Sequence, residues 1–464
     1  MELKFERKNV WENLNETERK LAYEMGDDYR AFIDAGKTER LSANEIVKRA
    51  KAGGFKCFDE YDTLKAGDKV YYVNRGKAVV LAVIGKRAVK QGLNIVGSHT
   101  DSPRVDIKQN PLYEEKGLSL FKTHYYGGVR KYQWVGLPLA LYGTVVKGDG
   151  SIVEIALGDN HGDPVLYMSD LLPHLGAKQG DKKLREGIEG EDLNVIVGCN
   201  PVDNKGDEKN AVKLNVLRLL NEKYGIVEED FASAELEIVP AGRARDVGFD
   251  RSMIAAYGHD DRVCAYASMQ ALFDANEPEI TAVALFADKE EIGSVGNTGM
   301  QSEYFTYLVA EMIAKQNNGN VGLLELNRAL SKSTMLSADV AAGIDPTFSS
   351  VFEAQNSAFM GSGAAMIKYT GVRGKSGASD ANAEFIGRVR KVFNDSGVIW
   401  QTSELGRVDE GGGGTIAFIL ANHNVDVLDV GIPVLSMHAT YELVAKSDIY
   451  MGYKAYRAYY EGIK

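Results

Sequence analysis

Five short motifs, each placed where an apolar run ends, hold the residue types that do chemistry in this chain: Ser98-His99-Thr100-Asp101, His259-Asp260-Asp261-Arg262, Asp288-Lys289-Glu290-Glu291, Ser337-Ala338-Asp339 and Met437-His438-Ala439. Two imidazoles, three carboxylates able to ligate and one carboxylate to spare are what a pair of divalent cations needs to activate water at neutral pH, with a general base left over. The set therefore reads as a two-metal hydrolase. No other reading uses all five motifs.

Within the set the residues divide by what their spacing allows. His99 has Asp101 two residues on, able to turn back and hold the imidazole through its second nitrogen, the usual support of a metal-bound histidine. Glu290 and Glu291 follow an apolar strand; neighbouring residues at a strand end point in different directions, so one can ligate while the other faces the attacking water. Asp260-Asp261-Arg262 taken alone is a helix N-terminus with favourable charge. In combination with the other motifs, one of the two aspartates is expected to bridge both metals. His124, His161 and His423 lie outside any such grouping and keep a structural reading.

These motifs must be carried by strands that open into one crevice. Val70-Tyr72, Ala78-Val83 and Leu93-Val96 are apolar or β-branched runs that predict buried strands, the last delivering His99 and Asp101. Ile280 to Ala287 leads to Asp288, Thr334-Leu336 to Asp339, and Val427 to Leu435 to His438. In open α/β sheets ligands gather beyond the carboxyl ends of strands, so motifs hundreds of residues apart can converge. Helices are predicted over Asn15 to Ala35, over Ser42 to Ala52 with Ser42 and Glu45 as a capping box, over Arg262 to Ala275, and over Tyr441 to Tyr460.

From about Val105 to Asp246 the texture changes to short strands. Leu139 to Val146 and Ile152 to Leu157 flank the hairpin signal Lys147-Gly148-Asp149-Gly150-Ser151, and Leu193-Val197 and Glu235-Val239 follow. This stretch reads as an inserted β-rich domain, residues 105–245, interrupting an α/β domain made of residues 1–104 and 246–464. Two domains also suit a chain of 464 residues, which exceeds what one core usually serves.

Composition excludes several classes. A net charge of −11 with mixed signs argues against a nucleic-acid surface. Cys57, Cys199 and Cys264 are too few and dispersed for a disulfide framework and form no CxxC metal pair, which points to a reducing cytoplasm. The charged start Met1-Glu2-Leu3-Lys4-Phe5-Glu6-Arg7 is no signal segment, and no apolar stretch approaches the ~20 residues of a membrane helix. Gly371-Val372-Arg373-Gly374-Lys375-Ser376 has too few residues between its glycines for a phosphate loop. Gly411 to Gly414 fits either a close backbone approach to substrate or a tight turn between strands.

Gly97-Ser98-His99-Thr100-Asp101-Ser102-Pro103, Tyr126-Gly127-Gly128 followed by Trp134, Asp288-Lys289-Glu290-Glu291-Ile292-Gly293-Ser294, Leu336-Ser337-Ala338-Asp339 and Met437-His438 together resemble, in order, the signatures of the aspartyl aminopeptidase family of two-zinc metallopeptidases. The resemblance implies a three-layer α/β/α peptidase domain interrupted by a β-rich dimerisation domain, assembled as a tetrahedral dodecamer in the cytoplasm. It implies two divalent ions, zinc in the first place with cobalt or manganese as alternatives. His99 and Asp339 would hold one ion and Glu291 and His438 the other, with Asp260 bridging, Glu290 as general base and Asp101 supporting catalysis. Lys368, in Ala365-Met366-Ile367-Lys368-Tyr369, resembles a lysine that faces an acidic substrate side chain; a lysine on an exposed edge strand is the ordinary alternative.

Two departures stand out. Asp261-Arg262 replaces the asparagine that commonly follows the family's bridging aspartate, a change that bridging should survive. Lys178 sits where the family has a histidine reaching a neighbouring subunit's site, with His174 four residues earlier as the nearest candidate. The expected activity is removal of an N-terminal residue, Asp or Glu by the family's preference, from short peptides. A two-metal deacylase and a non-catalytic metal-stabilised shell are the competing readings, and Glu290 weighs against the shell, because a scaffold needs ligands but no base.

Overall fold

The computed structural model describes residues 3–202 and 209–463, in two compact units. The first comprises Met1–Ser102, Ala244–Met437 and Tyr441–Lys464; the second comprises Pro103–Arg243 and His438–Thr440.

The first unit is built on a nine-stranded mixed sheet, an α/β arrangement. Its strands run in the order Lys56–Cys57, Lys69–Asn74, Ala78–Val83, Thr281–Ala287, Leu93–His99, Thr334–Ser337, Asp426–Gly431, Ala364–Ile367 and Trp400–Thr402. The four strands from Thr281–Ala287 to Asp426–Gly431 are mutually parallel, with Ala287 opposite His99 and Ser337 opposite both Gly97 and Asp429. That register brings their carboxyl ends level, so the residues that follow them share one edge of the sheet.

Both faces of the sheet are covered, which explains the unbroken apolar runs in its strands. Val79, Leu81 and Val83 join one apolar cluster with Phe32, Ile46, Val263, Phe385 and Tyr456; Ala78, Val80 and Ala82 join another with Phe305, Met312, Leu330 and Leu420. The first set of partners lies on the helices Glu16–Ala35, Glu39–Ala52, His259–Phe273, Ala383–Asp395 and Lys446–Gly462, the second on Tyr304–Gln316, Leu323–Ser331 and Ala417–Ala421. A five-stranded sheet, ordered Arg245–Val247, Met253–Ala256, Glu442–Ala445, Pro433–Leu435 and Ala341–Ala342, adjoins them in the same unit.

Several elements differ from the sequence-based expectation. The helix expected from Ser42 starts at Glu39 instead, capped by Thr38, whose Oγ1 accepts the Leu41 N–H; Ser42 lies inside it and donates to the Gly36 carbonyl. The capping box belongs to Asn15 and Glu18, at the start of the preceding helix. The run Val427 to Leu435 is two strands in two sheets, Asp426–Gly431 and Pro433–Leu435, and the closing helix begins only at Lys446 because Glu442–Ala445 pairs as a strand. Gly371–Val372 and Gly412–Gly413 pair with each other; a Cβ on Gly412 would lie 2.2 Å from the Gly371 carbonyl oxygen, so glycine there serves strand pairing.

The second unit is a seven-stranded antiparallel sheet ordered Ala234–Pro240, Arg104–Glu115, Leu118–Tyr126, Val195–Gly198, Leu166–Tyr167, Pro138–Val146 and Ile152–Leu157. Ala234–Pro240 also pairs with Pro138–Val146, which closes six of these strands into a ring and leaves Ile152–Leu157 outside it. Val146 pairs with Ile152 across the predicted hairpin. Among the described residues no helix is long and apolar enough to cross a membrane.

Candidate metal centre

Strand Leu93–His99 ends on His99, 1% exposed, and the chain there turns through Thr100, Asp101 and Ser102. The turn is held at several points. Thr100 N–H donates to the Ala287 carbonyl at the end of the neighbouring strand. The buried Arg262 guanidinium donates to the Thr100 carbonyl at 3.1 Å and to Ser102 Oγ at 2.8 Å, and Ser102 Oγ donates to the Asp260 carbonyl at 2.7 Å. The region is thereby fixed before any ligand arrives.

Asp101 does two things in this turn. Its backbone carbonyl lies 3.0 Å from His99 Nδ1; because a carbonyl only accepts, Nδ1 carries a proton and Nε2 is the nitrogen left to take up a cation. Its carboxylate accepts the backbone N–H groups of Glu290 at 3.1 Å and Glu291 at 3.2 Å, and lies 3.3 Å from His99 Nδ1. Around Nε2 stand three carboxylates: Asp260 at 3.3 Å, Glu290 at 3.8 Å and Asp339 at 4.0 Å.

Each carboxylate is delivered by its own element. Asp339 follows Thr334–Ser337, whose exit is tied by the Ala338 N–H to the Gly97 carbonyl at 2.7 Å. Glu290 and Glu291 form a 3-10 turn entered through Lys289, a non-glycine residue with φ of 66°. Asp260 and Asp261, joined by a cis peptide, have non-helical backbone angles, and the regular helix runs on from Arg262. Asp260 N–H donates to Glu442 Oε2 at 2.9 Å; Asp261 Oδ2 accepts the His99 N–H at 3.2 Å. Asp261 thus faces the backbone of His99 while Asp260 faces its ring.

Charge crowding follows from this packing. Burial pushes the Asp261 and Asp339 carboxyls well above the carboxylate range, and in Asp339 the charges of Asp261 and Asp260 add to it. For His99 burial is the largest influence and acts downward, but its contacts with Asp101 and Asp260 and the charge of Glu290 outweigh it and hold the imidazole well above its ordinary value. The cluster attracts positive charge. Two sets of ligand atoms, from His99, Asp261 and Asp339 and from His99, Glu290 and Glu291, lie within 4.8 Å of one another. An imidazole nitrogen with hard carboxylate oxygens is a donor set that fits a divalent cation such as zinc, which would take the place of the proton held on His99.

A model of the family described as aminopeptidase I zinc metalloprotease (M18) matches residues 32–460. The chain belongs to this family. It is 48% identical to a probable M18 family aminopeptidase 1 of Clostridium acetobutylicum over 458 residues, which cover 98% of each chain. Its fold matches the crystal structure of the M18 aminopeptidase from Thermotoga maritima with a TM-score of 0.95 at 44% identity, covering 99% of this chain and 100% of that one. A structure described as the S. cerevisiae mApe1 dodecamer, 20% identical, shares the fold with a TM-score of 0.76 over 96% of this chain and 97% of that one. This M18 member is a metal-dependent aminopeptidase, a hydrolase of peptide bonds from a zinc metalloprotease family.

The remaining predicted residues are carried by other segments. His438, just beyond strand Pro433–Leu435, has a φ of 64° and its Nδ1 lies 3.2 Å from the Gly128 carbonyl oxygen. Lys368 is exposed, immediately past strand Ala364–Ile367 and not within it. His174 is exposed on the short turn Pro173–Leu175, and Lys178 is exposed on the turn that follows. Sequence reasoning did not find Glu442 as the acceptor for Asp260, nor Asp261 and Arg262 as the residues that fix the His99 turn. A lone glutamate in the apolar run Glu442–Ala445 was the one available signal, hidden by reading that run as helix.

Proposed function

We propose that this aminopeptidase works with two zinc ions per subunit: His99 and Asp339 at one, Glu291 and His438 at the other, Asp260 shared by both, and Glu290 as general base. The observation that carries this reading is the convergence of the Asp260, Glu290 and Asp339 carboxylates on His99 Nε2 within 4.0 Å. Asp260 is preferred over Asp261 as the shared ligand because Asp261 already accepts the His99 backbone N–H.

When bound, the ions supply Lewis acidity, polarising the scissile carbonyl and acidifying water. Glu290, mostly buried, takes the proton of the attacking water and returns it to the leaving amine. Asp101 sets the tautomer of His99 and holds the Glu290 turn in place. Glu291 and Asp339 are likewise less buried than Asp260, Asp261 and Arg262, so the peptide is taken to approach from the side of the glutamates and Asp339.

The same proposal includes a three-layer α/β/α peptidase unit, a dimerisation role for the second unit, a tetrahedral dodecamer in the cytoplasm, and peptides with N-terminal Asp or Glu as substrates. The dodecameric yeast relative supports the assembly. Metal analysis of the purified protein combined with a panel of aminoacyl and N-acyl substrates tests the chemistry: two metal equivalents and cleavage of free-amine substrates alone are expected. One metal equivalent, or turnover of N-acyl substrates, would overturn it. Sedimentation at micromolar concentration tests the assembly, a monomer being the refuting result.

A further inference from the structure

In the second unit a cavity of about 690 Å³ opens between the stretch Gly127 to Tyr132 and the segment Lys183 to Arg185, with Tyr125 beside it. Four of its lining residues are cations and none is Asp or Glu, although the chain as a whole carries a net charge of −11. Arg185 has an exposed partner, Glu186, at 3.3 Å, a pair that contributes little. Arg130 lies 5.2 Å over the Tyr132 ring. Among the described residues, Arg130, Lys131 and Lys183 have no carboxylate partner.

Both walls are anchored. Trp134, 1% exposed, ends the first turn and donates its N–H to the Lys131 carbonyl at 3.1 Å. On the other side the Lys183 carbonyl accepts the N–H groups of Glu186 at 2.8 Å and Gly187 at 3.0 Å, and Gln179 donates to the Gly187 carbonyl at 3.1 Å. Like charges held together in one concavity repel one another unless a counter-charge is bound. The volume lies within the range of small-ligand sites, and guanidinium and ammonium groups side by side are suited to oxyanions.

We propose that this cavity is a binding site for a ligand carrying several closely spaced oxyanions, the shared chemistry of polyphosphates and of carboxylate-rich peptides. The proposal does not depend on the metal assignment; of the lining residues Gly128 touches a residue given a role there, its carbonyl oxygen lying 3.2 Å from His438 Nδ1.

Calorimetric titration of the full-length protein with inorganic tripolyphosphate and, separately, with a capped tetraglutamate tests it, at low and at raised salt. Saturable binding of either probe, weakened by salt and weakened at least about tenfold in the double variant Arg130→Ala, Lys183→Ala, is the expected result. Binding of tripolyphosphate alone identifies phosphate as the source, and binding of tetraglutamate alone identifies peptide. Lys131→Glu is a second variant with the same expected loss, and coincident thermal unfolding of both variants with the parent shows that the fold is intact. Absence of binding by both probes, or affinity unchanged in both folded variants, overturns the proposal.

Discussion

Asp101 meets His99 Nδ1 with its backbone carbonyl at 3.0 Å and its carboxylate at 3.3 Å, and the two oxygens of that carboxylate also accept the N–H groups of Glu290 and Glu291. One residue thereby sets the histidine tautomer and the placement of the adjacent glutamates. The two duties separate by substitution. Asp101→Asn keeps the carbonyl but puts an amide donor against one of the two N–H groups, so the Glu290 turn loses a bond while the tautomer is kept. Loss of about 10- to 100-fold in kcat/KM with bound metal largely retained is expected, the range for residues that support ligands. Metal content falling in parallel with activity would show that the carboxylate acts mainly through its 3.3 Å contact with His99.

The adjacent glutamates separate in a different way. Glu290→Gln removes the base and keeps the shape, so metal content and melting temperature stay near those of the parent while turnover falls by roughly 10²–10⁴. Glu291→Gln weakens metal binding itself. Chelation should lower the melting temperature of the parent and of Glu290→Gln alike, because metal that binds only the folded chain stabilises it and the crowded Asp260, Asp261 and Asp339 carboxylates lose their counter-charge. Near-normal turnover by Glu290→Gln at equal metal content would remove it from the role of base.

The pattern of what could be read beforehand follows from the physics. His99, Asp101, Glu290, Glu291 and Asp339 could be marked as candidates because each ends or closely follows a strand buried on both faces, where a polar residue has few reasons to appear. The parallel register that levels those strand ends was inferable from fold class alone. Glu442, Asp261 and Arg262 were not, since their work is done by hydrogen bonds to backbone groups distant in sequence: Asp260 N–H, His99 N–H and the Thr100 carbonyl. The strand break at Ile432 and the strand Glu442–Ala445 escaped for a related reason. Pairing in the five-stranded sheet overrode the local helical spacing.

Lys368 lies in solvent past the end of strand Ala364–Ile367, which limits what it can contribute to specificity. A charge contact in water contributes about 0–1 kcal/mol, against several for a desolvated pair. Lys368→Met is therefore expected to lower kcat/KM for N-terminal Asp and Glu by less than about tenfold, with Leu and Ala unchanged. Initial rates across a four-substrate panel measure it. An equal loss for all four, or none for any, would show that Lys368 does not read the substrate side chain.

Asp448 offers a test of pH dependence away from the metal cluster. It is fully buried near the start of helix Lys446–Gly462, and its two oxygens accept the N–H groups of Gly361 at 2.7 Å and Gly363 at 2.9 Å; the Gly361 carbonyl in turn accepts the Val10 N–H. Burial pushes this carboxyl up to about 7, the two N–H donors opposing the shift. Because the folded chain then keeps a proton that the unfolded chain releases near pH 4, the Asp448 contribution is fully present below that value. It is lost as pH rises to about 7, by on the order of 4 kcal/mol as an upper bound. Asp448→Asn cannot titrate, and its amide satisfies only one of the two N–H groups, so it should be less stable than the parent at low pH. The gap should shrink steadily between pH 4 and 7, because only the parent loses stability there through this group. Thermal unfolding of both proteins across that range measures the difference and cancels every other titrating group; a gap independent of pH would mean that Asp448 is ionised throughout, held by its two backbone donors.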